Sequence, residues 1–422
     1  MSKGPSKDFN TDAIFFERQT VLILSLERKG AVSMTKKARA LDHWIRSDFR
    51  QMNTELEELY FKNQHSVESL GESIKNQLVD EGRALICDLL NEGNTDEGFD
   101  SGFELLGDVG FYMAACRRHD ITEPSRESKS PLKEASALAM QLGASLGVIP
   151  RFASCHLETH NRAVNGEYKT FTSLPDEKIF IDFNTRGVFS FIRASEALRN
   201  CLPLGVSHPI TYDLLVVAKL ALEEVYASNA SLFDQLDINR FFYCVRPYYR
   251  PHRVGLHEYR GANAGDFAGI NVIDLLLGVC KADDPYYSQL LVDKFLFMRP
   301  EDQLILRDCM RRKSLLDSFL ECRNEHRNNS WFQTNLAIFL EVCETHGRVA
   351  KQHHERLVHK FIERPADAGA HMAQTDLTAS GPPLPVLLKS LRKLCDMRSA
   401  VKHTDGFDTQ YKYLESLREC LR

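Results

Sequence analysis

One histidine in this sequence is placed to hold a metal from a single helix. In the stretch NLAIFLEVCETHGRVAKQHHERLVHKFIERP, residues Leu336, Leu340, Cys343, Gly347, Ala350, His354, Leu357 and Phe361 recur at intervals of three or four. That spacing lines side chains up on one face of an α-helix. The stripe is apolar apart from His354, and it is narrow just before it, at Gly347 and Ala350. A glycine in mid-helix costs roughly 1 kcal/mol against alanine, so it marks something packed close to the backbone. A flat macrocycle with its iron on His354 would need such a gap, and a neutral imidazole is the usual proximal ligand of haem iron. The simpler reading, a core histidine bonded to a backbone carbonyl, is the commoner one for a lone histidine on such a stripe. His353 lies about 100° further round the helix and is expected to face outward among Lys351, Gln352 and Glu355. His346, two turns back and near the same face, is the competing ligand.

Other clusters could surround a bound group. From Arg240 to Arg260, five arginines interleave with Tyr243, Tyr248, Tyr249 and Tyr259. Such a mixture suits either nucleic acid or a small-molecule pocket. The net charge of -5 and the apolar run that follows favour the pocket. Guanidinium groups clasp carboxylates, and aromatic rings sandwich flat ligands. The run Gly261, Ala262, Asn263, Ala264, Gly265 comes next and lets backbone approach a planar ligand closely. It is not a dinucleotide fingerprint, because no GxGxxG follows a predicted strand. Asn263 or Asp266 is expected to cap the helix through INVIDLLLGV. Further upstream, VIPRFASCHLETHN gathers Arg151, Ser154, His156 and His160 in a bend after Pro150. His156 and His160 have a helical i, i+4 spacing, but no HExxH pattern or third ligand supports zinc.

The elements that must position these residues are helices. LDHWIRSDFRQMNTELEELYF, ESIKNQLVDEGRALICDLLNEG and FELLGDVGFYMAACRRHD each carry helical periodicity, and Phe111, Tyr112 and Met113 read as core. PLKEASALAMQLGASLG ends at Gly147, and a proline turn is expected at Leu174-Pro175-Asp176-Glu177. Two long helices occupy residues 186–235, charged helices fill 283–326, and a last helix contains VLLKSLRKLCDMRSAVK. Between them, ADAGAHMAQTDLTASGPPLP reads as a loop that could act as a lid. The expected organisation is an N-terminal extension with helices over 1–75, a small helical domain over 76–180 and a large helical domain over 181–422. The extension would be an oligomerisation element of a homodimer, a lid element, or helices packed on the main body, the simpler case.

Composition narrows the class. The chain has 422 residues, 43% of them hydrophobic and 26% charged, as in ordinary globular proteins. Eleven cysteines without a CxxC pair point to reduced thiols in a cytoplasmic protein, and any haem would be held non-covalently. MSKGPSKDFNTD has no apolar core for a signal peptide, and no apolar run approaches the roughly 18 residues of a membrane span.

Four blocks resemble the indoleamine and tryptophan dioxygenase superfamily of all-α haem proteins, in particular its monodechloroaminopyrrolnitrin synthase-like family. They are GFELLGDVGFYMAACRRHD; VIPRFASCH with TSLPDE; FFYCVRPYY with GANAGDFAG and DLLLG; and KQHHERLVHKFI with TASG. The likeness runs from about residue 100 to about residue 400. It implies a mainly α fold with haem b, its iron on His354, and Lys351 where the family places an arginine beside a haem propionate. It implies that Phe241 packs on an indole, that Arg246 holds an amino-acid carboxylate, and that Gly261, Ala262, Asn263, Ala264 and Gly265 lie against the haem. Ser154 and His156 would line the distal wall, and Ser380 and Gly381 would belong to a loop closing over the substrate. Pro382 and Pro383 stand where the family has glycines, and Ile362 where it has a tyrosine. The function implied is oxidation of tryptophan or a tryptophan-derived indole with O2 and a reductant, by a ring rearrangement in secondary metabolism. The alternatives are cleavage of the indole ring to N-formylkynurenine and a haem-binding sensor without turnover; neither nucleic acid nor membrane is an expected partner.

Overall fold

A computed structural model describes residues 34–93, 98–363, 383–402 and 407–421. The expected lid, with Ser380 and Gly381, lies outside the described residues. The fold is mainly helical. In chain order come α1 (Lys36–Arg46), α2 (Asp48–Lys62), α3 (Glu72–Glu92), α4 (Phe99–Arg118), α5 (Lys133–Leu146), α6 (Pro175–Leu204) and α7 (Pro209–Gln235). A β-hairpin of β1 (His252–Val254) and β2 (His257–Tyr259) precedes α8 (Ala268–Leu277), α9 (Pro285–Phe295), α10 (Pro300–Cys309) and α11 (Leu315–His326). Then come α12 (Ser330–Gln352), α13 (Leu384–Arg398) and α14 (Tyr411–Arg418). No helix among the described residues is long and apolar enough to cross a membrane.

Local chemistry sets several boundaries. α3 stops at Gly93 and α5 at Gly147, both with positive φ (80° and 68°), a backbone state that costs glycine nothing. The expected turn at Leu174-Pro175 is the start of α6. Pro175 sits in the first turn, where its missing N–H is no loss, with Asp176 and Glu177 favourably placed near the helix's positive end. The buried Glu177 carboxylate reaches back to accept from the backbone N–H groups of Phe171 and Thr172, both at 2.7 Å. Burial raises this carboxyl to about 7. The hairpin was not legible as strands, being three residues a side.

Apolar side chains gather in two main clusters. The first unites α1, α2, α3, α4 and α5 with Phe233, Phe241, Val245, Ala262 and Phe361. The second unites α6, α7, α8 and α12 with α9 to α11, α13 and α14. Phe111, Tyr112 and Met113 are core, each 1% exposed. α12 packs along α7, and at His353 it continues into a π-helical segment, His353–Glu363. All eleven cysteines are free thiols, most of them buried.

A buried carboxylate ties the second cluster together. Asp274 on α8 accepts from Arg398 Nε (2.9 Å) and Nη2 (2.7 Å) on α13, from His346 Nε2 (2.7 Å) on α12 and from the Tyr287 hydroxyl (2.8 Å) on α9. Burial alone would raise its pKa, but Arg398 and His346 hold it well below the usual carboxylate range. Gly347, next to His346, is where α13 crosses α12: a Cβ there would meet Ser399 Cα at 3.0 Å and the Arg398 carbonyl at 3.3 Å. The gap expected to admit a macrocycle at Gly347 is therefore filled by protein. Removing the carboxylate in Asp274→Ala would leave Arg398 buried without a counter-charge. We expect a loss of about 3–5 kcal/mol in urea unfolding at neutral pH; a loss below about 1 kcal/mol would show that the carboxylate is not what fastens these helices.

Candidate functional site

His354 is half-buried in the π-helical segment. Its Nδ1 is buried and has no hydrogen-bond partner, and no other hydrogen bond engages the ring among the described residues. The Nε2 edge is thus the one left for a ligand. π-turns inside helices occur often at functional sites, because the wider i→i+5 turn displaces side chains from the α-helical register. Up to Gln352 the buried positions Val342, Thr345, Val349 and Gln352 keep the α-helical register; within the π-segment Val358 and Phe361 are buried, while Ala350, His354 and Leu357 are half-buried. Gln352, expected to face outward, is 4% exposed and donates to the Tyr226 carbonyl at 2.9 Å. His346, the competing ligand, is 1% exposed; its Nε2 is committed to Asp274 at 2.7 Å and its Nδ1 is enclosed in the core without a hydrogen bond. Lys351 is exposed at the end of α12.

Phe241 opens a second π-turn, Phe241–Val245, and is 6% exposed. Its ring meets Phe361, on the His354 segment, edge to face at 5.9 Å, and Phe180 at 5.0 Å. This turn is fastened from behind. Arg118 on α4 clamps Glu57 on α2 through Nε and Nη2, both at 2.7 Å, and Nη2 also donates to the Tyr243 carbonyl at 3.0 Å. Arg246, which follows, is half-buried, sits 5.2 Å from the centre of the Phe242 ring and has no ion pair among the described residues. Burial lowers it to about 10. Arg250, one turn on, is also half-buried and has no ion pair among the described residues. Burial, together with the charges of Arg117, Arg118 and Arg246, lowers it to about 9. Two adjacent guanidinium groups without counter-charges favour an anion. The sequence flagged this arginine-rich stretch, but only packing shows which of its arginines are spent.

The small-residue run is held rigidly. Gly261 and Ala262 are buried, while Asn263, Ala264 and Gly265 are half-buried. Asp266 takes both ends of Arg260 at 2.9 Å and the Asn263 N–H at 2.9 Å. The N-cap of α8 is instead Phe267, with no side-chain cap, and the Asp266 carboxylate serves the loop and not the helix end. Arg151, fully buried, spends its guanidinium on the carbonyls of Phe152, Tyr259 and Arg260. Lys294 on α9 donates to the Gly265 carbonyl at 2.8 Å. His353 faces the same region. It is exposed, yet surrounding protein pushes its imidazole down to about 4, with Arg398, His354 and Lys294 adding to the effect.

Ser154 and His156 are buried in a short 3-10 turn, at 2% and 4% exposure. His156 stacks on Phe103 at 4.1 Å. Its Nε2–H donates to the Phe103 carbonyl at 2.9 Å and its Nδ1 accepts the Ala153 N–H at 3.0 Å, so one tautomer satisfies both nitrogens. Gly107 on α4 makes room, since a Cβ there would lie 2.5 Å from the ring. The contacts of His156 are thus with α4 and its own turn, and the structure does not place it beside His354. His160 is likewise taken, by Thr159 and Arg299. Among the described residues, no group of three or more His, Cys, Asp or Glu is arranged to hold a metal ion. A surface groove of about 520 Å³ lined by Arg199, Arg312 and Lys313 shares none of the residues above.

Fold and site together define a mainly helical protein in which the His354 imidazole, without a hydrogen bond among the described residues, lies near aromatic rings, arginines without an ion pair there and a pinned small-residue loop. Residues 35–421 match the family described as monodechloroaminopyrrolnitrin synthase PrnB, and the chain belongs to that family. The match begins at residue 35 and so takes in helices that the motif resemblance leaves out.

Burial lowers the His156 imidazole to about 4, below the unfolded value near 6.5. The unfolded chain therefore takes up this proton first. The contribution of a neutral His156 is complete above about pH 6.5 and is lost toward pH 4, at up to about 1.4 kcal/mol per pH unit. In urea unfolding, His156→Gln should lose less stability than the wild type between pH 6.5 and 4.5. Parallel profiles would mean that the folded protein protonates this ring freely.

Proposed function

We propose that this protein is a haem-dependent oxidoreductase acting with O2 on tryptophan or a tryptophan-derived indole, and that its reaction is a ring rearrangement of secondary metabolism. Family membership supports an oxidoreductase of this type. The observation that carries the haem reading is the free Nε2 edge of His354, on the same helical segment as Phe361, which packs on Phe241.

The residues fit such a group. His354 would hold the iron through Nε2, with Asp274 keeping His346 occupied. Gly261 to Gly265 would offer a surface without bulk, held in shape by Arg260, Asp266 and Arg151. Haem bound there supplies redox-active iron for O2 chemistry. The protein supplies binding and orientation. Phe241 gives an apolar wall for an indole. Arg246, desolvated and without a counter-ion, would gain most from a substrate carboxylate, because a charge-assisted pair replaces an unpaired buried cation. Orientation by these two residues fixes which indole carbon meets the oxidant. The lack of a free acid or base among them matches a reaction that needs none.

The test is the absorption spectrum of haem-titrated full-length protein, with and without L-tryptophan. We expect a Soret band that is lost or strongly altered in His354→Ala. We expect tryptophan to shift it in the wild type, with at least a tenfold weaker response in Arg246→Met, as one charge-assisted pair is worth about 1.5–3 kcal/mol. A band unchanged in His354→Ala refutes the ligand assignment, and no band in the wild type refutes the haem reading. Product analysis under O2 with a reductant then separates rearrangement from cleavage to N-formylkynurenine.

A further inference from the structure

A half-buried cation that no motif singled out lies against the small-residue loop, and its charge is felt at the His354 segment. Lys294, near the end of α9, donates one of its three ammonium hydrogens to the Gly265 carbonyl at 2.8 Å. Contact there is tight: a Cβ on Gly265 would lie 3.2 Å from Nζ. On the other side the charge of Lys294 reaches His353, the neighbour of His354.

Lys294 has no carboxylate partner among the described residues. Asp266 is clasped by Arg260 and the Asn263 N–H. Asp274 is filled by Arg398, His346 and Tyr287. Burial, with Asp266 partly opposing it, lowers the ammonium to about 8. A half-buried ammonium with two unused donors loses hydration without gaining a counter-charge, and an arriving carboxylate corrects both deficits. Lys351, by contrast, is exposed and already solvated, so an ion pair there would gain little. Arg398 has its bidentate edge committed to Asp274.

We propose that Lys294 is the cation that binds a carboxylate on the rim of the bound porphyrin, the role that the family resemblance gives to Lys351. The proposal rests on the haem reading above. It needs no covalent step, only an ion pair between the Lys294 ammonium and a porphyrin carboxylate.

Spectrophotometric titration of the full-length protein with haemin and with haemin dimethyl ester, which lacks the carboxylates, tests it. Lys294→Met should weaken haemin binding roughly tenfold or more and leave ester binding within about twofold of wild type. Lys294→Arg should recover most of the haemin affinity, and Lys351→Met should change neither ligand by more than about twofold. Equal losses for haemin and ester in Lys294→Met would show a packing role and overturn the proposal, as would unchanged haemin binding. A selective haemin loss in Lys351→Met alone would return the role to that residue. If wild type binds neither ligand, the haem reading itself fails, and the assignment of Lys294 falls with it.

Discussion

The region around His354 depends on one buried carboxylate. Asp274 joins the helix that follows the small-residue loop, α12 that leads into the His354 segment, the helix that carries Lys294, and α13. A charge in such a place is tolerated only because four donor hydrogen bonds meet it, two from a guanidinium in a bidentate fork. The geometry also decides which histidine is free. His346 is drawn into this network, and His354, two turns on, is not.

A similar economy runs through the rest of the site. Arg118 is committed to Glu57 and to the Tyr243 carbonyl, Arg151 to three carbonyls, and Arg260 to Asp266. Each fixes a stretch of irregular backbone that secondary structure alone would leave loosely held. Arg246 and Arg250 stand out against this background because neither guanidinium has a hydrogen bond to a carbonyl or an ion pair among the described residues. Positive charge left over in a desolvated place defines what can be received there, namely an anion such as a carboxylate.

Two π-turns do for the helices what these arginines do for the loops. One carries Phe241 and the other His354, and the two meet through Phe361. A continuous α-helix through residues 330–363 would have kept the buried stripe in its original register. Within the wider turn Val358 is buried and His354 is left half-buried at the edge. His354 and Phe361, the ring that packs on Phe241, thereby share one segment, so that movement of one moves the other.

The sequence alone determined the mainly helical class, the helix ends at Gly93 and Gly147, the free cysteines and the family. These follow from local periodicity, from the backbone freedom of glycine and from motifs contiguous along the chain. It also placed His354 on a half-apolar stripe and marked the Phe241–Arg246 and Gly261–Gly265 stretches. Tertiary structure decided the rest. Gly347 proved to serve the crossing of α13, and Pro175 to open a helix. His156 is spent on backbone groups, and Lys294 is left without a counter-charge. Each of these turns on a partner that lies tens of residues away or on a helix register that shifts by one residue. Short-range spacing carries no record of either, because whether a polar group is free or spent depends on what the fold packs against it.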